Sequence, residues 1–226
     1  MTGTGLAERQ ADRLADRLGR CYASAVHDVL RGMGHDNCLL PPEIRPVLPG
    51  HGVLAGMVWT VSGHIDRTRS AHETLLAWTG LLSRAPGGTV VICQPNNHEV
   101  ALMGELSAAA LQLKGVRGYI VDGGCRDVAM IEAIGFPVWC SFFTPSDIVS
   151  RWMPDRFGEP VTIGSVTICS GDYVIADRDG VVILPAALAE DVIGKTEAVV
   201  GTESEVRRHI LDGMDPQEAY RRYGKF

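Results

Sequence analysis

Apolar residues recur along the chain with two periods, and the switches between them predict the elements. Residues 6–20 place Leu6, Leu14 and Leu18 among alanines and alternating charges, which fits an amphipathic helix. A second helix is expected over 22–33, with Gly34 as its C-terminal cap. Pro41, Pro42, Pro46 and Pro49 prevent a long continuation and predict a fixed loop. Small and β-branched residues then predict a strand over 54–61, and residues 70–82 a helix that ends before ProGlyGly. A β-α-β pattern follows: a strand at 89–93, a helix over 104–113, a strand at 116–121, a helix at 128–134 and an apolar strand at 138–143.

Beyond Pro145 the pattern turns strand-rich. Short strands are expected at 161–163, 166–169 and 173–176, and AspGly at 179–180 suggests a hairpin into 181–184. These read as a small β-layer following the β-α part. Pro185 opens a long helical region through about Leu211, interrupted by Gly213, and Asp215, Pro216 and Glu218 have capping-box spacing for a last helix.

Composition narrows the classes. The 226 residues can bury one substantial core, and 46% hydrophobic content argues for an ordered globular chain, read as a single domain over 1–226 with helical terminal appendages. A net charge of -6 gives nucleic acid no broad attraction. No apolar run is long enough to cross a bilayer and the N-terminus lacks a secretory core, so a cytoplasmic protein with no membrane partner is expected. The six cysteines show no CxxC spacing, and structural roles are expected for them, Cys125 being the exception because it adjoins Arg126. GlyGly at 87–88 reads as a tight turn, since no phosphate-loop or dinucleotide motif is present.

Candidate chemistry concentrates in 115–127, GVRGYIVDGGCRD. A strand here is expected to empty into a turn at Gly123 and Gly124 that presents Asp122, Arg126 and Asp127 together. Arg126 can fork onto a carboxylate and Asp127 can hold a hard divalent ion; an Arg–Asp pair bracing the turn is the structural alternative. His27, Asp28 and His35 lack metal spacing, and Lys114 and Lys195 read as solvated charges.

Gly104-Glu105, Gly115, Gly118 and the run 122–127 together resemble the RraA-like family, and within it the class II 4-hydroxy-4-methyl-2-oxoglutarate/4-carboxy-4-hydroxy-2-oxoadipate aldolases. The resemblance extends from ValHisAspValLeu at 26–30 through ArgProValLeuProGly at 45–50 to the run at 170–185, where SerGlyAsp replaces the more usual ProGlyAsp. It implies an α/β fold, a compact α/β/β/α sandwich resembling a swivelling domain with N- and C-terminal helices. It also implies a homotrimer or a dimer of trimers (homohexamer) with active sites between subunits.

The implied activity is retro-aldol cleavage of a small, polyanionic 4-hydroxy-2-oxo acid to pyruvate with Mg²⁺ or Mn²⁺, with oxaloacetate decarboxylation as a side or main activity. A non-catalytic regulator of ribonuclease is the alternative. The resemblance assigns Arg126 to the substrate carboxylate, Asp127 to the metal and Glu105 to metal-bound water, with the backbone N–H groups of Leu106 and Ser107 at the pyruvyl end. A helix starting near Gly104 would aim such donors at an anion, although Asn96 and Glu99 also have capping-box spacing upstream. Glu203, with Glu205 in reserve, is the expected acid from the neighbouring subunit; Glu203 and Arg207 also have the spacing of a helix ion pair. Asn96 and His98 are expected at the variable end of the substrate, with helix capping as the simpler use of Asn96.

Overall fold

Val91 and Cys93 face one side of the central sheet and Val90 and Ile92 the other, the two-residue period of a strand buried on both faces. The computed structural model describes residues 4–48 and 50–224, with 4–10 described by their backbone alone; Pro49 and the side chain of Leu6 lie outside the described residues.

Helices α1 (Thr4–Leu18) and α2 (Ala23–Gly32) precede the short strand β1 (Arg45–Pro46), then β2 (Leu54–Ile65), α3 (Ala71–Arg84), β3 (Thr89–Gln94), α4 (Glu105–Leu113), β4 (Gly118–Cys125), α5 (Val128–Ile134) and β5 (Val138–Phe143). Strands β6 (Trp152–Phe157), β7 (Val161–Ile163), β8 (Val166–Ile168), β9 (Tyr173–Ala176) and β10 (Val181–Leu184) follow, and α6 (Ala189–Leu211) and α7 (Pro216–Tyr223) close the chain. Local chemistry explains several boundaries. Ser70 and Glu73 form a reciprocal capping box at the start of α3. Asp215 accepts the Gln217 and Glu218 N–H groups to begin α7.

β5, β4, β3 and β2 are parallel neighbours, and the main sheet runs β1-β5-β4-β3-β2-β9-β10, with β6 also pairing to β2. All the helical packing lies on one face. There α3, α4 and α5 cover Val61, Val91, Tyr119 and Val121, while α1, α2 and α6 cover Ala55, Tyr173 and Ile175. The other face curls around Val58, Ile92, Ile120 and Trp139 and is closed by the β7–β8 hairpin. The result is the expected α/β sandwich with terminal helices. Among the described residues no helix is long and apolar enough to cross a membrane.

Two expectations need correction, and one strand was missed. The later strands do not form one separate layer: β2 is twelve residues long, and its second edge takes β9 along Leu54–Met57 and β6 along Val61–Ile65, leaving only β7–β8 apart. β6 was not predicted, because Pro154 interrupts its pattern; it sits on an edge beside an irregularity in β2 at Ser62/Gly63, where a missing N–H is tolerated. Gly123 and Gly124 lie in β4, not in a turn, which moves Cys125 from a loop into the core.

Candidate functional site

The end of β4 is crowded by the segment that leads into α4. Leu102 N–H donates to Gly124 O at 2.8 Å, Arg126 N–H donates to Met103 O at 2.9 Å, and Thr144 N–H donates to Cys125 O at 3.0 Å. A Cβ at Gly124 would stand 2.8 Å from Val100 O and 2.9 Å from the Phe142 ring, so the glycine is there for close approach. The turn comes later, at Asp127, whose φ of 57° is left-handed. A non-glycine residue in that region stores about 1 kcal/mol or more of backbone strain, held here by its surroundings.

That turn aims Asp127 away from its own helix. Its Oδ2 accepts the Glu105 N–H at 3.2 Å, capping α4 from across the site, and lies 3.4 Å from Arg126 Nε. Gly104, the N-cap of α4, provides no side-chain cap, and a Cβ there would stand 2.8 Å from Asp127 Oδ2. The first-turn N–H groups of Leu106 and Ser107 thus belong to a helix start whose dipole favours an anion. Ser107 Oγ accepts the Trp78 indole N–H at 2.9 Å.

Arg126, Asp127, Glu105, Leu106 and Ser107 line one cavity of ≈ 470 Å³, within the range of small-molecule sites. Asp147, which the sequence reading missed, lines it too and places Oδ2 3.2 Å from Arg126 Nη1. Nothing in the local string marks Asp147; it reaches the site because the loop after β5 is bonded back to the segment that leads into α4, Ala101 N–H donating to Ser146 O at 2.7 Å.

Five candidates lie elsewhere. Asp122 is on the opposite face of β4 from Val121, where it accepts from Gln94 Nε2 at 3.1 Å and Ser141 Oγ at 3.2 Å and pairs with His98 Nε2 at 3.0 Å. His98 therefore does not line the cavity. Nor does Asn96, which has a φ of 54° and donates its amide to Gly63 O at 2.8 Å instead of capping a helix. Glu203 lines a separate depression of ≈ 350 Å³ with Tyr22, Asp28 and Arg207, and Glu205 is exposed further along α6.

A hard divalent ion suits this donor set. Among the described residues no group of three His, Cys, Asp or Glu side chains gathers as a full ligand cage. The cavity offers the carboxylates of Glu105, Asp127 and Asp147, and the Glu105 N–H and Arg126 Nε contacts of the Asp127 side chain both fall on Oδ2. Magnesium-class ions bind through one or two carboxylates while keeping water and substrate ligands, so a full cage is not needed. Lys114 donates to Ser83 O and Lys195 to Asp191, and neither lines the cavity.

The sequence model of the RraA-like family, described as Aldolase/RraA, matches residues 23–183, from α2 through β10. The chain belongs to that family. Glu105, Arg126 and Asp127 fall inside the match and Glu203 outside it. Protein DlpA of Legionella pneumophila is 25% identical over 211 residues, 93% of this chain, which spans only 34% of DlpA. A Halalkalibacterium halodurans protein named "Putative 4-hydroxy-4-methyl-2-oxoglutarate aldolase" is 26% identical over 151 residues, 67% of this chain and 71% of that one. The solved structure of Streptomyces coelicolor RraAS2, titled an unusual member of the RNase ES inhibitor RraA protein family, superposes with a TM-score of 0.77 at 24% identity, covering 87% of this chain and 98% of that one, a likeness of fold.

Proposed function

We propose that this protein is a divalent-metal-dependent lyase of the pyruvate aldolase type, cleaving a 4-hydroxy-2-oxo acid between C3 and C4 to pyruvate and a second carbonyl compound. The observation that carries this reading is the single cavity onto which the Arg126 guanidinium, the start of α4 and the Glu105 and Asp127 carboxylates all open. The name of the Halalkalibacterium halodurans relative agrees with it.

Arg126 and the N–H groups of Leu106 and Ser107 grip the pyruvyl carboxylate, which fixes the C3–C4 bond relative to the acids. Asp127 and Glu105 would hold Mg²⁺ or Mn²⁺. When bound, the ion supplies Lewis-acid withdrawal of charge from the 2-keto oxygen. A water ordered by the cavity's carboxylates takes the C4 hydroxyl proton; the C3–C4 electron pair passes into an enolate as C4 becomes a carbonyl, and C3 then regains the proton to give pyruvate. Arg126 stays beside the developing negative charge throughout. Oxaloacetate presents the same pyruvyl end, and its loss of CO₂ gives the same enolate.

The test is pyruvate release by the purified protein after complete metal removal and after restoring Mg²⁺ or Mn²⁺. Activity should vanish and return. Undiminished turnover without metal would overturn the metal-dependent class. Failure to release pyruvate from any 4-hydroxy-2-oxo acid or from oxaloacetate would favour the regulatory reading that the RraA relatives suggest.

A further inference from the structure

The Trp78 indole reaches from α3 to the first turn of α4, where its N–H donates to Ser107 Oγ at 2.9 Å, and both residues line the cavity. The indole is held on its far side. Its ring meets Trp152 edge-on, with centroids 6.0 Å apart, and the fully buried Trp152 gives its own N–H to Pro95 O at 2.9 Å. One turn earlier in α3, the Thr74 hydroxyl accepts the Ser150 N–H at 3.0 Å, which ties the helix to the loop after β5. A serine in a helix commonly returns its proton to a backbone carbonyl three or four residues back. Here those carbonyls already accept elsewhere: Gly104 O takes the Ala108 N–H at 3.0 Å and Met103 O takes the Arg126 N–H at 2.9 Å.

We infer that the Ser107 hydroxyl is a further donor to the pyruvyl carboxylate, beside the Arg126 guanidinium and the first-turn N–H groups, and that Trp78 is the residue that positions it. The inference rests on the pyruvyl assignment above and adds one side chain and its support to that assignment. A hydroxyl rotates to suit its partners. By accepting from Trp78, Oγ turns a lone pair toward α3 and keeps its proton for an acceptor in the cavity. Ser107 is the third residue of α4, so its backbone N–H has no intrahelical acceptor, and its N–H and O–H can close on one anion. A hydroxyl donating to a carboxylate makes a charge-assisted bond, stronger than one between neutral groups. Trp78 acts through Ser107 and is a positioning residue.

Oxalate, which has the carboxylate but no bond to cleave, tests this by calorimetry on the purified protein in Mg²⁺. Ser107→Ala should weaken its binding about 10-fold, the scale of one hydrogen bond to a charged group. Lost folding does not explain such a loss, since alanine is the better helix former. Trp78→Phe keeps a ring and removes the N–H; it should weaken binding about threefold when Ser107 is present and add little to Ser107→Ala, whereas a purely structural loss would be the same in both backgrounds. Wild-type affinity in folded Ser107→Ala, or an equal Trp78→Phe loss in both backgrounds, would overturn the inference. If Trp78→Phe is poorly folded, Ser107→Thr, which keeps the hydroxyl, replaces it: binding within about threefold of the wild type is expected, and binding as weak as that of Ser107→Ala would overturn the inference. Pyruvate release from 4-hydroxy-2-oxo acids is measured separately. The coupled losses of oxalate binding without any release would remove the aldolase reading and leave Ser107 and Trp78 in their roles. Release together with wild-type oxalate affinity in Ser107→Ala would do the reverse, and no oxalate binding by the wild type would overturn both.

Discussion

Asp147 holds Arg126 by the end of its guanidinium: Oδ2 lies 3.2 Å from Nη1, while the other carboxylate oxygen accepts the Val149 N–H at 3.1 Å. With Asp127 near Nε, the guanidinium is fixed at two points and cannot rotate freely out of the cavity. Asp147→Ala should lower kcat/KM about tenfold, the worth of roughly one charge-assisted hydrogen bond at a partly exposed site. Asp147→Asn should recover most of the loss, because the amide oxygen still accepts from Arg126. Steady-state kinetics on both variants checks this. Higher efficiency in Asp147→Ala would mean that the carboxylate merely competes with substrate.

Gly124→Ala should destabilise the fold by about 1–3 kcal/mol, the usual cost of overpacking, because the new methyl meets the Val100 carbonyl and the Phe142 ring. Urea denaturation of the variant and the wild type measures the difference. Wild-type stability would show that the segment before α4 yields easily, contrary to the tight stitching of Leu102 and Arg126 to their neighbours.

The thiols divide sharply. Cys169 is exposed, whereas the other five are buried, and burial pushes Cys93 up to about 12 and Cys38 up to about 11. A thiol raised this far above its ordinary value stays protonated, and so unreactive, at pH 8. Ellman's reagent at pH 8 should therefore titrate one thiol quickly in the native protein and all six after denaturation. Fast reaction of Cys125 would contradict its place inside β4.

Where sequence was legible, local chemistry and tertiary packing asked for the same thing. The helix opening at Ser70, the Asp215 start of the last helix and the AspGly hairpin into β10 all stand where the pattern put them. Gly123 and Gly124 misled because glycine serves a turn and a close strand crossing equally well, and only the position of Val100 and Phe142 decides between them. Pro154 hid β6 because its tolerance depends on an edge and a neighbouring irregularity, both non-local. In the site, Arg126, Asp127 and Glu105 were legible because two short motifs carry them. Asp147 was not, since it meets Arg126 through a loop 21 positions away that nothing in the string ties to it. Asp122, only four positions before Arg126, shows the converse: strand alternation and the irregularity between Val121 and Gly124 send it to the His98 side.

The carboxylate grip of Arg126 underlies the whole account, and binding of oxalate, a non-reactive mimic of the pyruvate enolate, tests it without reference to any distal group. Calorimetry in Mg²⁺ should give clear binding to the wild type and binding weaker by about 10- to 100-fold in Arg126→Lys, which keeps the charge and loses the planar fork. The same affinity for oxalate in a folded Arg126→Lys protein would contradict the assignment.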